Sequence, residues 1–352
     1  MLLITAGLYS IISNGRILLK VMKSKVSLSG GTLAHVGLAL MIIGILTSSG
    51  YSKVISLNNT GLLYSRNFPD EINKENLLLF LHEPRQMGDY KLTYEGKKIE
   101  AKGVSGFISR NEITPTPDPH FVVASEDIMD GKKVKVKKGD TLEINPENTY
   151  YSVLYEKPNG ESFRLYPRLQ ENPNMGNVVS PSIRHTILDD IYTHVTVVAN
   201  EDRDWSKPVN EEVKVGDNFF IKDHEAVFSS IERLYEVNGE KLGDNDVAVK
   251  AHIIIHGNGV NYNIDPIYMI RGNMAAHISD ENKDFGVKMD ILKISPERNS
   301  FTFNISTSEK DYVILKAVEK PLINILWLGT FILMTGVAIA LSRRIREYRK
   351  ST

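Results

Sequence analysis

The segment that decides the fold is GGTLAHVGLALMIIGILTSSG, residues 30–50. Residues 30–49 contain no Asp, Glu, Lys or Arg, and a second uncharged stretch covers residues 321–342. A hydrocarbon core about 30 Å thick requires about 20 such residues in a helix. The sequence therefore predicts two transmembrane helices, although the chain of 352 residues has 24% charged residues and a mean hydropathy of −0.19.

The charges on either side of these stretches predict the topology. Arg16, Lys20, Lys23 and Lys25 precede the first stretch, and the first acidic residue is Asp70. The tail after residue 342 carries five basic residues and one acidic residue, which leaves 33 basic and 42 acidic residues in between, a net charge of −9. Because basic flanks stay in the cytoplasm, the region of residues 51–320 is predicted to lie outside.

The extreme N-terminus carries a further apolar run, Leu2 to Ile12. This run of 11 residues is too short to span a bilayer, and it lacks both a preceding basic residue and a small-residue cleavage site, which argues against a signal peptide. We expect an interfacial helix or the stub of a further membrane helix.

The first predicted membrane helix carries a stripe of mostly small side chains. They recur at spacings of 4, 3, 4, 3 and 4 and are Gly30, Ala34, Gly37, Met41, Gly44 and Ser48. Such a stripe allows another helix to approach closely in lipid. In the second helix, Gly329 and Gly336 are seven residues apart and mark either a packing face or ordinary transmembrane glycines, and Trp327 has the position of an interfacial anchor.

His35 lies beside the stripe, about five residues from the cytoplasmic boundary. Gly31 and Gly37 leave space around its imidazole for a flat ligand or a neighbouring helix. An ionisable residue in a membrane span is a functional hypothesis by default, and neutral imidazole is a common axial ligand of haem iron. The alternative is a histidine that hydrogen-bonds across a helix pair or lies near the headgroups. One histidine cannot supply both axial ligands, so a second must come from another chain.

Between the membrane helices, apolar residues alternate with a period of two, as in FTFNI at residues 301–305. Many short alternating runs with turn signals between them predict a mainly antiparallel β region with sandwich-like or barrel-like units. VKKGD at residues 136–140 and VKVGD at 213–217 suggest two related β units, with the polar stretch Asn200 to Pro208 as the natural linker. The predicted division is 1–29 for an N-terminal stub and basic loop, 30–50 for a membrane helix, 51–200 and 201–320 for two external β domains, 321–342 for a membrane helix and 343–352 for a basic tail.

Several function classes are excluded or disfavoured. The chain has no Cys, which excludes disulfides, zinc–thiolate sites, iron–sulfur clusters and thiol catalysis. His252 and His256 lie about 13 Å apart if they share a strand, too far for a common metal. His185 and His194 flank an acidic segment without a nucleophile, so we do not expect catalysis there. The net charge of −9 outside argues against nucleic acid as a partner.

Three segments, in order, resemble the C-terminal part of the CcmF family, the membrane haem-handling subunit of cytochrome c maturation. The first is GTLAHVGLA at residues 31–39, which resembles the family's A-H-x-G-x-A helix. The second is PSIR at 181–184 followed by LDDIY at 188–192, and the third is KPLINILWLG at 320–329, with MGDYKL at 87–92 as a weaker match. The order of these segments agrees with the topology predicted from the charges.

The resemblance implies a role in delivering haem to apocytochrome c at the outer face of the bacterial cytoplasmic membrane. His35 matches the family's transmembrane axial ligand of a haem b, which is proposed to keep the transferred haem reduced. The implied partners are an N-terminal CcmF-like half or another multi-span haem-handling subunit, further cytochrome c maturation subunits, apocytochrome c, haem and the lipid bilayer. The chain would then be one component of a haem lyase complex, without catalysis of its own.

The sequence also departs from the family. Its tryptophans are Trp205 and Trp327, and the tryptophan-rich family signature is missing. The resemblance therefore implies a split or truncated protein in which residues 201–320 are an added β domain. An alternative from a different class is a membrane-anchored β scaffold of an envelope complex that binds no haem.

Overall fold

The computed structural model describes residues 2–22, 28–131, 133–200, 204–237, 239–243, 245–257, 259–272 and 274–351. Lys23 and Lys25 of the predicted basic loop, and residues 201–203 of the predicted linker, lie outside these described residues. The described helices are α1 Leu2–Met22, α2 Gly30–Gly50, α3 Asp70–Glu75 and α4 Ile323–Ser351.

Within the described part of the chain, three helices are long and apolar enough to cross a membrane: α1 over Leu2–Lys20, α2, and α4 over Ile323–Lys350. The chain is therefore consistent with a membrane protein, and the prediction of two membrane helices was wrong in number. The prediction considered the apolar run Leu2 to Ile12, whereas the helix continues through Ser13 and Asn14 to Met22. In the helix, the Asn14 side-chain amide donates to the Ser10 carbonyl at 2.9 Å, which satisfies a polar group without water. Arg16 and Lys20 lie in the second half of α1, where long side chains can reach the interface.

The region between α2 and α4 consists mainly of short strands. The first part of the chain forms β1 Lys53–Val54, β2 Leu77–Phe80, β3 Arg85–Met87, β4 Tyr90–Ile99, β5 Ile108–Ser109, β6 Ile113–Pro115, β7 Phe121–Ala124, β8 Ile128–Asp130, β9 Lys133–Val136, β10 Thr141–Glu143, β11 Asn148–Glu156, β12 Ser162–Leu165, β13 Arg168–Asn172, β14 Gly176–Ser180, β15 Ser182–His185 and β16 Asp189–Val198. The later part forms β17 Val209–Lys214, β18 Asn218–Ile221, β19 His224–Leu234, β20 Glu236–Val237, β21 Glu240–Lys241, β22 Val247–His256, β23 Asn261–Ile264, β24 Ile267–Arg271, β25 Met274–Ile278, β26 Asp280–Asn282, β27 Val287–Ser295, β28 Ser300–Thr307 and β29 Tyr312–Pro321.

A first β unit contains two sheets that face each other. One sheet has the order β1-β29-β16-β15, with β2 also paired to β29. The other has the order β14-β13-β11-β4-β3, with β12 also paired to β11 and β5 to β4. Their inner faces share one core, in which Leu79, Val195 and Leu315 meet Leu92 and Tyr155. The paired strands run antiparallel, as the alternation of apolar and polar residues predicts. A satellite of small sheets, built from β6 to β10, packs around its own cluster of buried residues.

A second β unit is a sandwich of the sheets β17-β28-β27-β26 and β18-β19-β22-β24-β25, with β23 beside β22. Phe228, Ile253 and Phe303 are fully buried between its two sheets. The prediction of a mainly antiparallel β protein is confirmed by both units.

The second unit is inserted between two strands of the first. β29 was assigned by the sequence to residues 201–320 of the second domain, but it pairs with β16 from Asp189↔Pro321 to Val198↔Val313. The Ala199 N–H donates to the Tyr312 carbonyl at 3.1 Å, so the chain leaves and re-enters the first unit at one place. Alternation within a strand does not reveal which sheet the strand joins, because the partners lie more than 100 residues away.

The two similar segments form the same turn. Gly139 N–H donates to the Ala124 carbonyl at 2.8 Å, and Gly216 N–H donates to the Phe228 carbonyl at 2.7 Å. Both glycines have positive φ, +88° and +92°, which glycine adopts at no steric cost. The residue that accepts the glycine hydrogen bond precedes the turn in the first segment, where it is Ala124, and follows the turn in the second, where it is Phe228. The similarity therefore lies in the turn, while the surrounding strand order differs.

Candidate functional site

The glycines of α2 and α4 form a tight antiparallel seam. A Cβ added to Gly37 would lie 2.3 Å from the Leu333 backbone nitrogen, and one added to Gly44 would lie 2.3 Å from that of Leu326. On α4, a Cβ at Gly336 would lie 2.4 Å from the Ala34 nitrogen. Glycines spaced by seven residues recur on one side of a helix every two turns, so both backbones stay close along the seam. Gly329 and Gly336 thus belong to a packing face.

A second side of α2 packs against α1. Ala39 and Ile43 are buried there, and a Cβ on Gly7 of α1 would come within 2.9 Å of the Ile43 side chain. Together with the glycine seam, this contact covers two of the three sides of α2.

His35 lies on the third side of α2 and is exposed. Gly31 and Leu38 are exposed on the same side, one turn before and one turn after His35, and Ile45 continues this side toward the C-terminal end of α2. We call the side formed by Gly31, His35, Leu38 and Ile45 the open face of α2. An imidazole on this face is available to a ligand or to a helix of another chain.

The two glycines that were predicted to give His35 space have different surroundings. Gly37 packs against the α4 backbone and takes part in helix packing. Gly31 has no heavy atom of the described residues within 4 Å of an added Cβ, so there is room for a flat group beside His35. An exposed imidazole nitrogen with free space one helical turn away is what one axial position of a haem iron would require.

The remaining histidines do not assemble into a metal centre. Among the described residues, no group of three or more His, Asp or Glu side chains could hold a metal ion. His252 Nδ1 lies 2.9 Å from Asp265 Oδ1, and its Nε2 lies 3.4 Å from Glu232 Oε2. His256 lies at the far end of the same strand, where its Nδ1 is 3.0 Å from Asn261 Oδ1.

His185 and His194 have separate environments. His185 Nδ1 lies 2.7 Å from Oδ2 of Asp190, a carboxylate that is fully buried. The Asp190 Oδ1 atom has no hydrogen-bond partner among the described residues. His194 lies further along β16, opposite Lys316. Its pKa is lowered by burial and by the Lys316 ammonium, while Glu71 opposes the shift. The structure does not bring these two imidazoles to one site.

A polar cavity of about 220 Å³ lies where the two β units meet. Its lining includes His82, Glu95, Asp284 and Asp311. The Tyr94 hydroxyl donates to Asp311 Oδ2 at 2.9 Å, and burial, together with this carboxylate, raises the Tyr94 pKa. His82 has a left-handed backbone, with φ of +58°. These residues come from separate segments without a shared motif, and sequence reasoning did not identify them.

The comparisons with known proteins leave the family open. A scan against protein-family models finds no match for this chain, and a search of curated protein sequences finds none.

Proposed function

We propose that this chain is the haem-binding, membrane-anchored C-terminal half of a CcmF-like subunit that helps to attach haem to apocytochrome c. In this proposal, His35 is one axial ligand of a haem b, and a partner chain supplies the second ligand. The bound haem supplies an iron that changes oxidation state. The β units lie in the periplasm of a bacterium and bind the partner subunits or apocytochrome.

The observation that carries the proposal is the position of His35 on the open face of α2. A histidine whose role is to tie helices of its own chain together would face α1 or α4. Because His35 faces neither, its imidazole serves a group from outside this chain. A polar side chain that is turned toward lipid is costly, and a ligand or partner on this face removes that cost.

The resemblance supplies the second line of support. The matched segments lie in α2, which carries the open face, at the β15–β16 hairpin, and across the end of β29 and the start of α4. The connection between β16 and β29 through the inserted second unit is the main departure.

The proposal is tested with the full chain, co-purified with its neighbouring multi-span membrane subunit. We expect a low-spin haem spectrum that is lost or becomes high-spin in His35→Ala, and that recovers when imidazole is added. His256→Ala is the matched control, because it removes an exposed histidine from the second β unit. Unchanged haem content and spectrum in His35→Ala would overturn the proposal.

The scaffold alternative is distinguished by the same preparation. A scaffold would co-purify with its partners in stoichiometric amounts and carry no haem in the unaltered chain. In that case, His35→Ala would change the yield of the complex or leave it intact, with no spectral consequence.

A further inference from the structure

The hairpin between β15 and β16 ends in two exposed apolar residues beside the membrane helices. Ile187 is 89% exposed and Leu188 is 67% exposed. The turn is closed by two hydrogen bonds, in which the Thr186 N–H and the Thr186 hydroxyl both donate to the Asp189 carbonyl, at 3.0 and 2.8 Å. A hydrogen-bonded turn that presents its two apolar side chains outward indicates a binding surface.

Hydrogen bonds to the residues at the start of α4 fix the position of this hairpin tip along the α4 axis. Leu322 N–H donates to the Leu188 carbonyl at 2.6 Å, and the Asn324 side-chain amide donates to the Thr186 carbonyl. The part of α4 that is long and apolar enough to cross a membrane begins at Ile323. The tip therefore lies at the level of the first turn of α4, where the span meets the bilayer surface.

Both external connections of the membrane helices are short, which fixes this arrangement. β29 ends at Pro321 and α4 begins two residues later, with Leu322 at φ of +56° between them. At the other helix, α2 ends at Gly50, and Lys53 of β1 already pairs with Glu319 of β29. The first β unit is thus mounted on two helices through neighbouring strands, and its height above the bilayer cannot vary much.

The tip continues an apolar surface on α4. Trp327 and Leu328 follow Asn324 by three and four residues and so lie on the side of α4 that faces the hairpin. Trp327 is 61% exposed and Leu328 is 53% exposed. Lys320, at the membrane end of β29, lies 4.8 Å above the Tyr192 ring. Exposed apolar residues together with tryptophan and lysine are typical of protein surfaces that lie at a membrane interface.

We propose that Ile187 and Leu188 insert into the outer interfacial layer of the bilayer that α2 and α4 cross. This contact is a third attachment of the first β unit, beside its two helices, and it fixes the tilt of that unit on the membrane. The occupant of the surface is lipid, since the helix that positions the tip enters the lipid at the same height. The inference does not rest on haem binding.

The test uses single cysteines in the full chain, which contains no Cys of its own. Leu188→Cys carries an environment-sensitive fluorophore, in vesicles of phosphatidylcholine and phosphatidylglycerol at a high lipid-to-protein ratio. Met274→Cys is the matched control, because Met274 is 75% exposed in a hairpin of the second β unit. Thermal unfolding of both labelled proteins verifies that each retains the fold.

We expect blue-shifted emission at residue 188 and several-fold stronger quenching there, by lipids with a quencher near the headgroup, than at residue 274. Equal water exposure at both positions would overturn the proposal. A blue shift at residue 188 without quenching by lipid would also overturn it, because the tip would then be covered by protein. Both outcomes leave the His35 experiment unaffected.

Discussion

At the scale of single residues, two partly buried histidines have a lowered pKa, which the residues next to them in the sequence do not reveal. His194 lies on β16 opposite Lys316, and His82 lines the cavity between the β units. Burial is the largest cause that lowers the pKa of each; Lys316 adds to it at His194, whereas Asp284 and Glu95 oppose it at His82. The folded protein therefore holds both imidazoles neutral at a pH where the unfolded chain would charge them.

This difference predicts a pH dependence of stability. A histidine whose pKa is lowered in the folded state contributes stability that is fully present above pH 6.5, its ordinary pKa. This stability is lost as the pH falls below 6.5. Each such histidine adds up to about 1.4 kcal/mol per pH unit to the slope. We expect the free energy of unfolding to fall as the pH is lowered below 6.5. The slope of this free energy against pH should be smaller in His194→Gln.

The measurement is chemical unfolding at several pH values, with Glu319→Gln as the common background. Burial and Asp189 raise the pKa of Glu319, so its titration would otherwise oppose that of the histidines. His256→Gln serves as the reference for loss of an exposed imidazole. An unaltered slope in His194→Gln would contradict the expected role of burial.

At the scale of elements, the antiparallel pair of α2 and α4 depends on close backbone contact. Apolar side chains gain little by associating within lipid, so packing distance decides whether two membrane helices hold together. Gly37 and Gly31 offer a direct comparison, because both are glycines of α2 and differ in whether α4 lies against them.

We expect Gly37→Ala to weaken the helix pair, because the added Cβ would lie 2.3 Å from the Leu333 nitrogen and must push the backbones apart. Overpacking of this kind costs about 1–3 kcal/mol. Gly31→Ala is the control, with no described heavy atom within 4 Å of its Cβ. Thermal unfolding in detergent should show a lower midpoint for Gly37→Ala alone. Equal midpoints in the two variants would mean that the seam does not carry the association.

At the scale of the whole molecule, the first β unit is connected directly to the long helices α2 and α4, whereas the second β unit is connected only to the first. β29 links the first unit to the helices, since it lies inside that unit's sheet and leads directly into α4. The second unit has its own core. It touches the first through polar contacts, such as Asn111 to Asp284 at 2.7 Å and Lys310 to His224 at 3.1 Å.

This architecture predicts that the second unit can be removed. We expect a chain in which a short Gly-Ser linker replaces residues 201–309 to keep the first unit folded, because Ala199 and Tyr312 are already hydrogen-bonded. A hydrogen bond contributes about 0.5–1.5 kcal/mol net, so the loss of the exposed contact between Asn111 and Asp284 should be small. Circular dichroism and thermal unfolding of the shortened membrane protein provide the test. Loss of cooperative unfolding would show that the two units form a single folding unit.

Some features could be predicted from local sequence. The uncharged segments at residues 30–49 and 321–342 lie within α2 and at the start of α4, and alternation such as FTFNI at residues 301–305 corresponds to β28. α1 was underestimated, because the length of an apolar run does not show that Asn14 can satisfy its amide within the helix. For the candidate site, the sequence identified His35 as the unusual residue but could not show which side of α2 it occupies.

Hydrophobic length and periodicity are properties of neighbouring residues. The sequence by itself therefore determined two of the three helices that are long and apolar enough to cross a membrane, the β class of the region between α2 and α4, and the selection of His35 as a candidate residue. The tertiary structure decided that β29 belongs to the first unit, that Gly37 contacts α4 while His35 lies on the open face, and that Ile187 and Leu188 lie beside the start of α4. These facts depend on pairings between residues more than 100 positions apart, as between β16 and β29. Such pairings are selected by the packing of whole faces, and a local pattern of apolar and polar residues is compatible with several of them.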